Sequence, residues 1–339
     1  FDSSLRLFSA GGDTLLQKRS GASGDWVTVL TLAGVTPSQL LGANFVEGFS
    51  PLGGTVGMTL TCTAGGDTLV GARLDDTLIG LGGADSLAGG NGNDLLEGGD
   101  GHDTLDGELG DDTLRGGDGD DVLSSGDDGD DVLDGGAGND SLTTLGRGNA
   151  SLSGGDGNDT LTIFQGSPIS ERYSIALDGG AGNDLFDFRS IAYDMDVTVR
   201  GGEGADIYRF TFGSNDAAVR ILDFGAADQL DLRERLPNGV AANPFGPGGY
   251  VKAVQVGADV GILIDWDGAA GSMQAFQEIT LVNLSLASLS LANFVGGVEP
   301  GGGTGSTLNG TGRDDILTGT ALNDTIDGGS DGADRIDGA

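Results

Sequence analysis

The sequence predicts an all-β solenoid, a stack of short coils sharing one interior, and three observations carry that expectation. An Asp-x-Leu element recurs with a step of nine from about residue 62 to 162. Each nine-residue unit offers a single apolar side chain, too little to form a core unless units stack on one another. Glycine makes up 67 of the 339 residues and falls between the apolar positions, where turns are needed. The composition excludes much else. There are 52 acidic residues, all but eight of them Asp, against 16 basic ones, a formal net charge of −36. Such a charge argues against nucleic acid or anionic lipid as a partner. One His and one Cys leave no material for a disulfide framework, a Cys/His zinc site or a Cys-His dyad. No apolar run approaches the ~20 residues of a membrane span.

The acidic member of the unit falls at Asp67, Asp76, Asp85, Asp94, Asp103, Asp112, Asp121, Asp131, Asp140 and Asp159, with one inserted residue near Ser125 and a double step before Asp159. Clean copies read GGNGNDLLE (89–97), GGDGHDTLD (98–106), GGAGNDSLT (135–143) and GGDGNDTLT (154–162). Later copies, GGAGNDLFD (179–187) and GGEGADIYR (201–209), bring Asp184 and Asp206. The GGxGxD part is a turn, because glycine reaches backbone angles closed to residues with a Cβ. The three residues after it are a minimal strand whose central side chain points inward. Leucine fills that slot at 69, 78, 87, 96, 105, 114, 123, 133, 142, 152 and 161, so stacking predicts a continuous leucine ladder.

These nonapeptides closely resemble the RTX, or hemolysin-type, calcium-binding repeats of secreted bacterial proteins. The resemblance implies a parallel β-roll with two repeats per coil and Ca²⁺ held between stacked turns along each edge. Its ligands would be glycine-turn carbonyls and the Asp residues above, joined in the last repeats by Asp315, Asp324 and Asp334. An all-oxygen set suits a hard cation. Two repeats per coil would place Asp67, Asp85, Asp103, Asp121, Asp140 and Asp159 on one edge, and Asp76, Asp94, Asp112 and Asp131 on the other. The next member of the second row is Ala150, in LGRGNASLS (145–153), which predicts an unbroken leucine ladder beside a weakened or empty site.

A longer periodicity overlies the first. LTLAGVTPSQLLGANFV (30–46) aligns with EITLVNLSLASLSLANFV (278–295), and Asp67 and Asp76 pair with Asp315 and Asp324 at an offset of 248. The expected organisation is the β cap of a preceding module (1–48), a linker (49–56), an RTX β-roll (57–165), a β-rich cap with residual repeats (166–296), a Gly-rich linker (297–305), and the start of a further roll (306–339). The chain opens at Phe1 without a signal peptide and stops inside a repeat, which predicts a segment of a longer polypeptide. Within 166–296, VTVR (197–200), YRFTF (208–212) and GILIDW (261–266) alternate as strands do. VRILDFGAADQLDL (219–232), with the stretch 279–295 after it, resembles the caps of serralysin-type proteases and alginate epimerase modules. A cap is needed because an open coil end exposes unpaired strand edges. The loop NGVAANPFGPGG (238–249) is the place to look for a partner-specific surface.

Other candidates carry less. His102 stands at a variable position and is expected to face solvent without a catalytic role. Cys62 is expected to be a semi-buried small residue, and Trp26 and Trp266 to pack in strands. EF-hands lack their flanking helices and final Glu here, and the GxG strings lack a phosphate loop's Lys. The expectation is therefore a non-enzymatic, calcium-folded structural module of a large extracellular bacterial protein: an adhesin, surface-layer or filament component. Its partners would be calcium ions and neighbouring copies or modules in a surface assembly, with no nucleic acid and no membrane insertion. The resemblance also implies export through a type I channel. The alternative is the accessory region of a secreted enzyme of the alginate epimerase, protease or lipase type, with its catalytic domain outside this segment. A third reading, carbohydrate binding by the cap, requires exposed aromatics on one face.

Overall fold

The computed structural model describes residues 5–10, 13–20, 25–32, 57, 59–71, 73–145, 147–164, 173–190, 195–211, 218–234, 251–264, 276–295, 307–309, 316–318, 325–327 and 335–337. The linkers at 49–56 and 297–305, the loop 238–249 and Trp266 lie outside them. The chain forms two compact units, Phe1–Gly136 and Ala137–Ala339.

The first unit opens with the antiparallel strands Leu5–Ala10, Asp13–Ser20 and Asp25–Leu32, the last containing Trp26. Parallel strands follow in two alternating rows. One row holds Thr59–Thr61, Thr77–Gly82, Leu95–Asp100, Thr113–Asp118 and Asp131–Ala137. The other holds Thr68–Val70, Ser86–Asn91, Thr104–Leu109 and Val122–Ser124. Neighbours within a row lie 18 residues apart, since Leu60 pairs with Leu78, Leu78 with Leu96 and Leu96 with Leu114. The second row aligns Leu69, Leu87, Leu105 and Leu123 in the same way. One coil is thus two nonapeptides.

The strands form because alternate residues can be buried and the ladder leucine falls on the inside. In Thr113–Asp118, Leu114 is fully buried while Arg115 is exposed. Burying each leucine contributes roughly 1.5–3 kcal/mol, and none of them achieves it without the coil above or below. The turns have a backbone reason for glycine. Gly101 sits at φ 146°, and a Cβ there would overlap the Gly83 carbonyl one coil away. Backbones stack too closely for any side chain at that point.

The second unit begins as the same roll and then changes its filling. Its first row holds Ser141–Thr144, Thr160–Phe164, Leu185–Ser190, Ile207–Phe210 and Gln229–Asp231. The inward residues run Leu142, Leu161, Phe186, Tyr208 and Leu230. The opposing row holds Ala150–Asp156, Tyr173–Ala181, Met195–Glu203 and Ala218–Ile221, then Phe276–Leu281. Here coils lengthen to 25 and 22 residues, the separations of Leu152 from Leu177 and of Leu177 from Val199. The wider interior takes aromatic side chains: Phe186 stacks on Tyr208 at 5.0 Å and Phe188 on Phe210 at 4.6 Å. Such pairs contribute about 0.5–1.5 kcal/mol beyond area burial.

This row ends in antiparallel pairing, with Asp259–Ile264 between Phe276–Leu281 and Val251–Val256. Phe294 then bridges to Leu230, and the buried Asn293 amide donates to the carbonyls of Gly225, Ala226 and Asp228 at 3.3, 3.3 and 2.9 Å. The recurrent Ala-Asn-Phe-Val segment thereby covers the last turn of the roll with a side chain. The earlier copy at 43–46 lies outside the described residues. Farther on, Thr307–Asn309 pairs in parallel with Thr325–Asp327, and Ile316–Thr318 with Arg335–Asp337. That is again a two-row pattern.

Replacing Leu105 by Ala should lower stability by about 2–5 kcal/mol in denaturant unfolding, because the cavity cannot close between two rigid coils. Val122→Ala, one residue before a ladder leucine but exposed, should stay within about 0.5 kcal/mol.

Candidate metal centre

The turn aspartates stand in files because each carboxylate bonds the backbone of the coil before it. In the first unit Asp67 N–H donates to Asp85 Oδ1 at 2.7 Å, Asp85 to Asp103 at 2.7 Å, and Asp103 to Asp121 at 2.7 Å. The other file joins Asp76 to Asp94, Asp94 to Asp112 and Asp112 to Asp131 at 2.6, 2.8 and 3.0 Å. In the second unit Asp140 donates to Asp159, Asp159 to Asp184 and Asp184 to Asp206 at 2.8, 2.8 and 3.0 Å. One oxygen of each carboxylate is thus committed to the fold. Asp315, Asp324 and Asp334 lie outside the described residues.

The second oxygen is different. Oδ2 of Asp85, Asp94, Asp103, Asp112, Asp159 and Asp184 is buried with no hydrogen-bond partner among the described residues. The glycine five residues earlier makes room for it. A Cβ on Gly80 would come within 2.6 Å of Asp85 Oδ2, and one on Gly98, Gly107 or Gly179 would collide with the corresponding atom of Asp103, Asp112 or Asp184. Arginines lie elsewhere, pairing with Glu97, Asp187 and Asp231. A buried acceptor with no donor costs about 1–3 kcal/mol, more when charged. Burial accordingly pushes the Asp112 carboxyl up to about 8, with neighbouring carboxylates adding to it. Asp184 is pushed to about 7, and Asp94 and Asp131 to about 6, again chiefly by burial. Asp85, Asp103, Asp121, Asp159 and Asp206 move the same way. Bare carboxylate oxygens repeated from coil to coil beside close-packed backbone fit a hard divalent cation, and Ca²⁺ suits that donor chemistry.

Two places break the pattern together with the glycine. At 145–150 the first glycine is Leu145 and the aspartate is Ala150. Ala150 heads a run of apolar residues in register, Ile175, Val197 and Val219, all buried. Along that row of the second unit the carboxylate place is filled by hydrocarbon, four members deep rather than one. At the start of the roll Cys62 stands where the glycine would be. Asp67 there turns its Oδ2 to the Thr63 amide and hydroxyl at 2.8 and 2.7 Å, and those bonds hold its carboxyl below the usual range. Burial, then the charges of Asp85, Asp67 and Asp103, pushes the Cys62 thiol up to about 12.

Some participants are absent from the nine-residue pattern. Asp228 continues the file, taking the Asp206 amide at 3.1 Å and the Gly225 amide at 2.7 Å. Asp223 accepts from the amides of Gly201 and Gly202 at 2.9 and 3.2 Å. A step of 22, already present between Asp184 and Asp206, points to Asp228; the nonapeptide step does not. The residue before each aspartate also forms a ladder: Asn93 N–H donates to Asp75 Oδ1 and Asp111 N–H to Asn93 Oδ1. His102 belongs to one. It is exposed, yet its Nδ1 accepts the Asp120 amide at 2.8 Å.

Segments 63–96, 97–127, 125–142, 144–162, 301–331 and 309–339 match the family model of the RTX calcium-binding nonapeptide repeat (4 copies). No curated protein matches the chain.

The carboxyl shifts have a definite sign. Folded-state values lie above the usual ~4, so without metal the carboxyls stabilise the roll when protonated. That contribution is complete below about pH 4 and is lost as pH rises through about 6 to 8. With chelator present, far-ultraviolet circular dichroism should therefore show more β structure at pH 4.5 than at pH 8. Protons compete for the same oxygens, so the calcium midpoint should rise between pH 8 and pH 6.

Proposed function

Because the chain carries RTX calcium-binding nonapeptide repeats folded as a parallel β-roll, we propose that it is a calcium-folded structural module of a large secreted or cell-surface bacterial protein, built from roll-and-cap modules in tandem. The boundaries are those of the longer sequence repeat: a preceding cap at 1–48, a roll at 57–165, its cap at 166–296, and a new roll from 306. The row aspartates are the proposed ligands, with Asp315, Asp324 and Asp334 by extension. The observation that carries this reading is the file of buried carboxylate oxygens with no donor of their own.

Calcium would supply positive charge and oxygen coordination at those carboxylates. The chain's part is arrangement. Asp85, Asp94, Asp103, Asp112, Asp159 and Asp184 each spend Oδ1 on the neighbouring coil and keep Oδ2 for the site. The glycine opposite leaves the space clear. The leucine ladder fixes the distance between coils, and so between carboxylates. Before assembly none of this exists, since the turns carry a high ordering entropy and the acids repel. Extracellular modules bind calcium at about 10⁻⁴–10⁻³ M, so a chain of this kind stays open inside the cell and closes outside it. That property fits passage through a narrow secretion channel of type I and folding at the surface. Neighbouring modules would then be its structural partners.

Titration with Ca²⁺ to millimolar levels should convert a coil-like circular dichroism spectrum to a β spectrum, reversed by chelator. Unchanged order after exhaustive chelation at pH 8 would overturn the reading. Asp103→Ala should raise the calcium midpoint several-fold, whereas Asp134→Ala, on the exposed side of its strand, should leave it in place.

A further inference from the structure

We propose that at the first coil, resting on the calcium reading of the other turns, Cys62 joins Asp67 and Asp85 in a metal site that takes a thiophilic divalent cation such as Zn²⁺ or Cd²⁺ in place of calcium. Cys62 ends the strand Thr59–Thr61, and its N–H donates to the Ile79 carbonyl at 2.7 Å. In the following repeats that place belongs to Gly71, Gly80 and Gly89, where a Cβ would press on the carboxylate five residues later. Cys62 brings a side chain into the cradle that the other turns keep bare, and what it brings is sulfur. One ligand atom from each of Cys62, Asp67 and Asp85 lies within 4.8 Å of the other two.

The second observation is independent of the cysteine. Asp85 is 3% exposed and its Oδ2 has no hydrogen-bond partner among the described residues. That is an acceptor-only oxygen held in the interior, on a residue whose carboxylate belongs to the same cluster as the thiol. Asp67 is half-buried, its carboxylate kept at the rim by Thr63. One sulfur and two carboxylates are three ligands of the kind a four-coordinate zinc site uses, with bonds of about 2.3 Å to sulfur and 2.0–2.2 Å to oxygen. A small contraction of the cluster reaches those lengths, and water from the open side completes the tetrahedron. Ca²⁺ prefers six to eight oxygens and gains little from sulfur. The same turn geometry that favours calcium along the files would therefore favour a softer ion here. Binding releases the thiol proton to solvent, as metal–thiolate sites do. The site needs the fold, and therefore the calcium that closes the files elsewhere, which is why the test starts from the calcium-saturated chain.

The test is a Cd²⁺ titration of the calcium-saturated chain, read as the ultraviolet sulfur-to-cadmium charge-transfer band. Binding to carboxylates alone cannot produce that band. It should saturate at one Cd²⁺ per chain and be reversed by Zn²⁺. Cys62→Gly, which installs the residue its neighbouring repeats carry, should abolish it while leaving the calcium-induced β spectrum intact. Asp85→Asn and Asp67→Asn keep the thiol and should each weaken Cd²⁺ binding by about tenfold or more. Absence of the band would overturn the proposal. So would a band of unchanged affinity in both carboxylate variants, which would mean an accessible thiol and no built site.

Discussion

Everything in this fold depends on carboxylate oxygens that are buried without a donor. Among the described residues Asp85, Asp94, Asp103, Asp112, Asp159 and Asp184 each hold one there, and each raises the energy of the metal-free roll. A leucine ladder alone does not offset this, because one buried apolar side chain per nine residues is thin cover for an ordered backbone. The roll is therefore conditional. On the proposed calcium reading it closes when a cation or a proton neutralises the files, and its stability belongs to the solution as much as to the sequence.

Glycine and aspartate act as one unit in this arrangement. The glycine at the start of a turn is bare because the aspartate five residues on points into the space its side chain would take. In two places both change together. Leu145 goes with Ala150, and Cys62 goes with an Asp67 whose Oδ2 has swung to Thr63. These exceptions follow the same packing rule as the regular turns, seen from its other side. They also mark where the chemistry of an edge changes, to hydrocarbon in one case and to sulfur in the other.

The second unit shows how a roll is brought to an end. Its coils lengthen, aromatic rings replace leucine, and one row exchanges carboxylates for Ala150, Ile175, Val197 and Val219. Cohesion there rests on ordinary apolar burial. At the last turn Asp228 finds the Gly225 amide for its second oxygen, and Asn293 covers the carbonyls that another coil would have met. The terminus is satisfied by side chains of the chain itself, so the file need not continue. Antiparallel strands then close the edge that a parallel stack leaves open.

The two-row solenoid, the inward leucines and the aspartate files were legible in the sequence, because each depends on a short repeat in which every unit meets its own copy. Periodicity suffices when neighbours in space are neighbours in the pattern. What only the tertiary structure decided lies where that identity fails. Asp228 and Asp223 fall outside the nine-residue step because the coils have grown. His102, read as a free surface residue, takes part in an amide ladder visible only once coils are stacked. The depth of the apolar run behind Ala150 depends on residues 22 to 25 apart meeting in register, and the turning of Asp67 on a Thr63 whose amide and hydroxyl reach it only in the folded turn. Spacing determined which residues would stack; the volume and the donors left between them decided what each carboxylate could do.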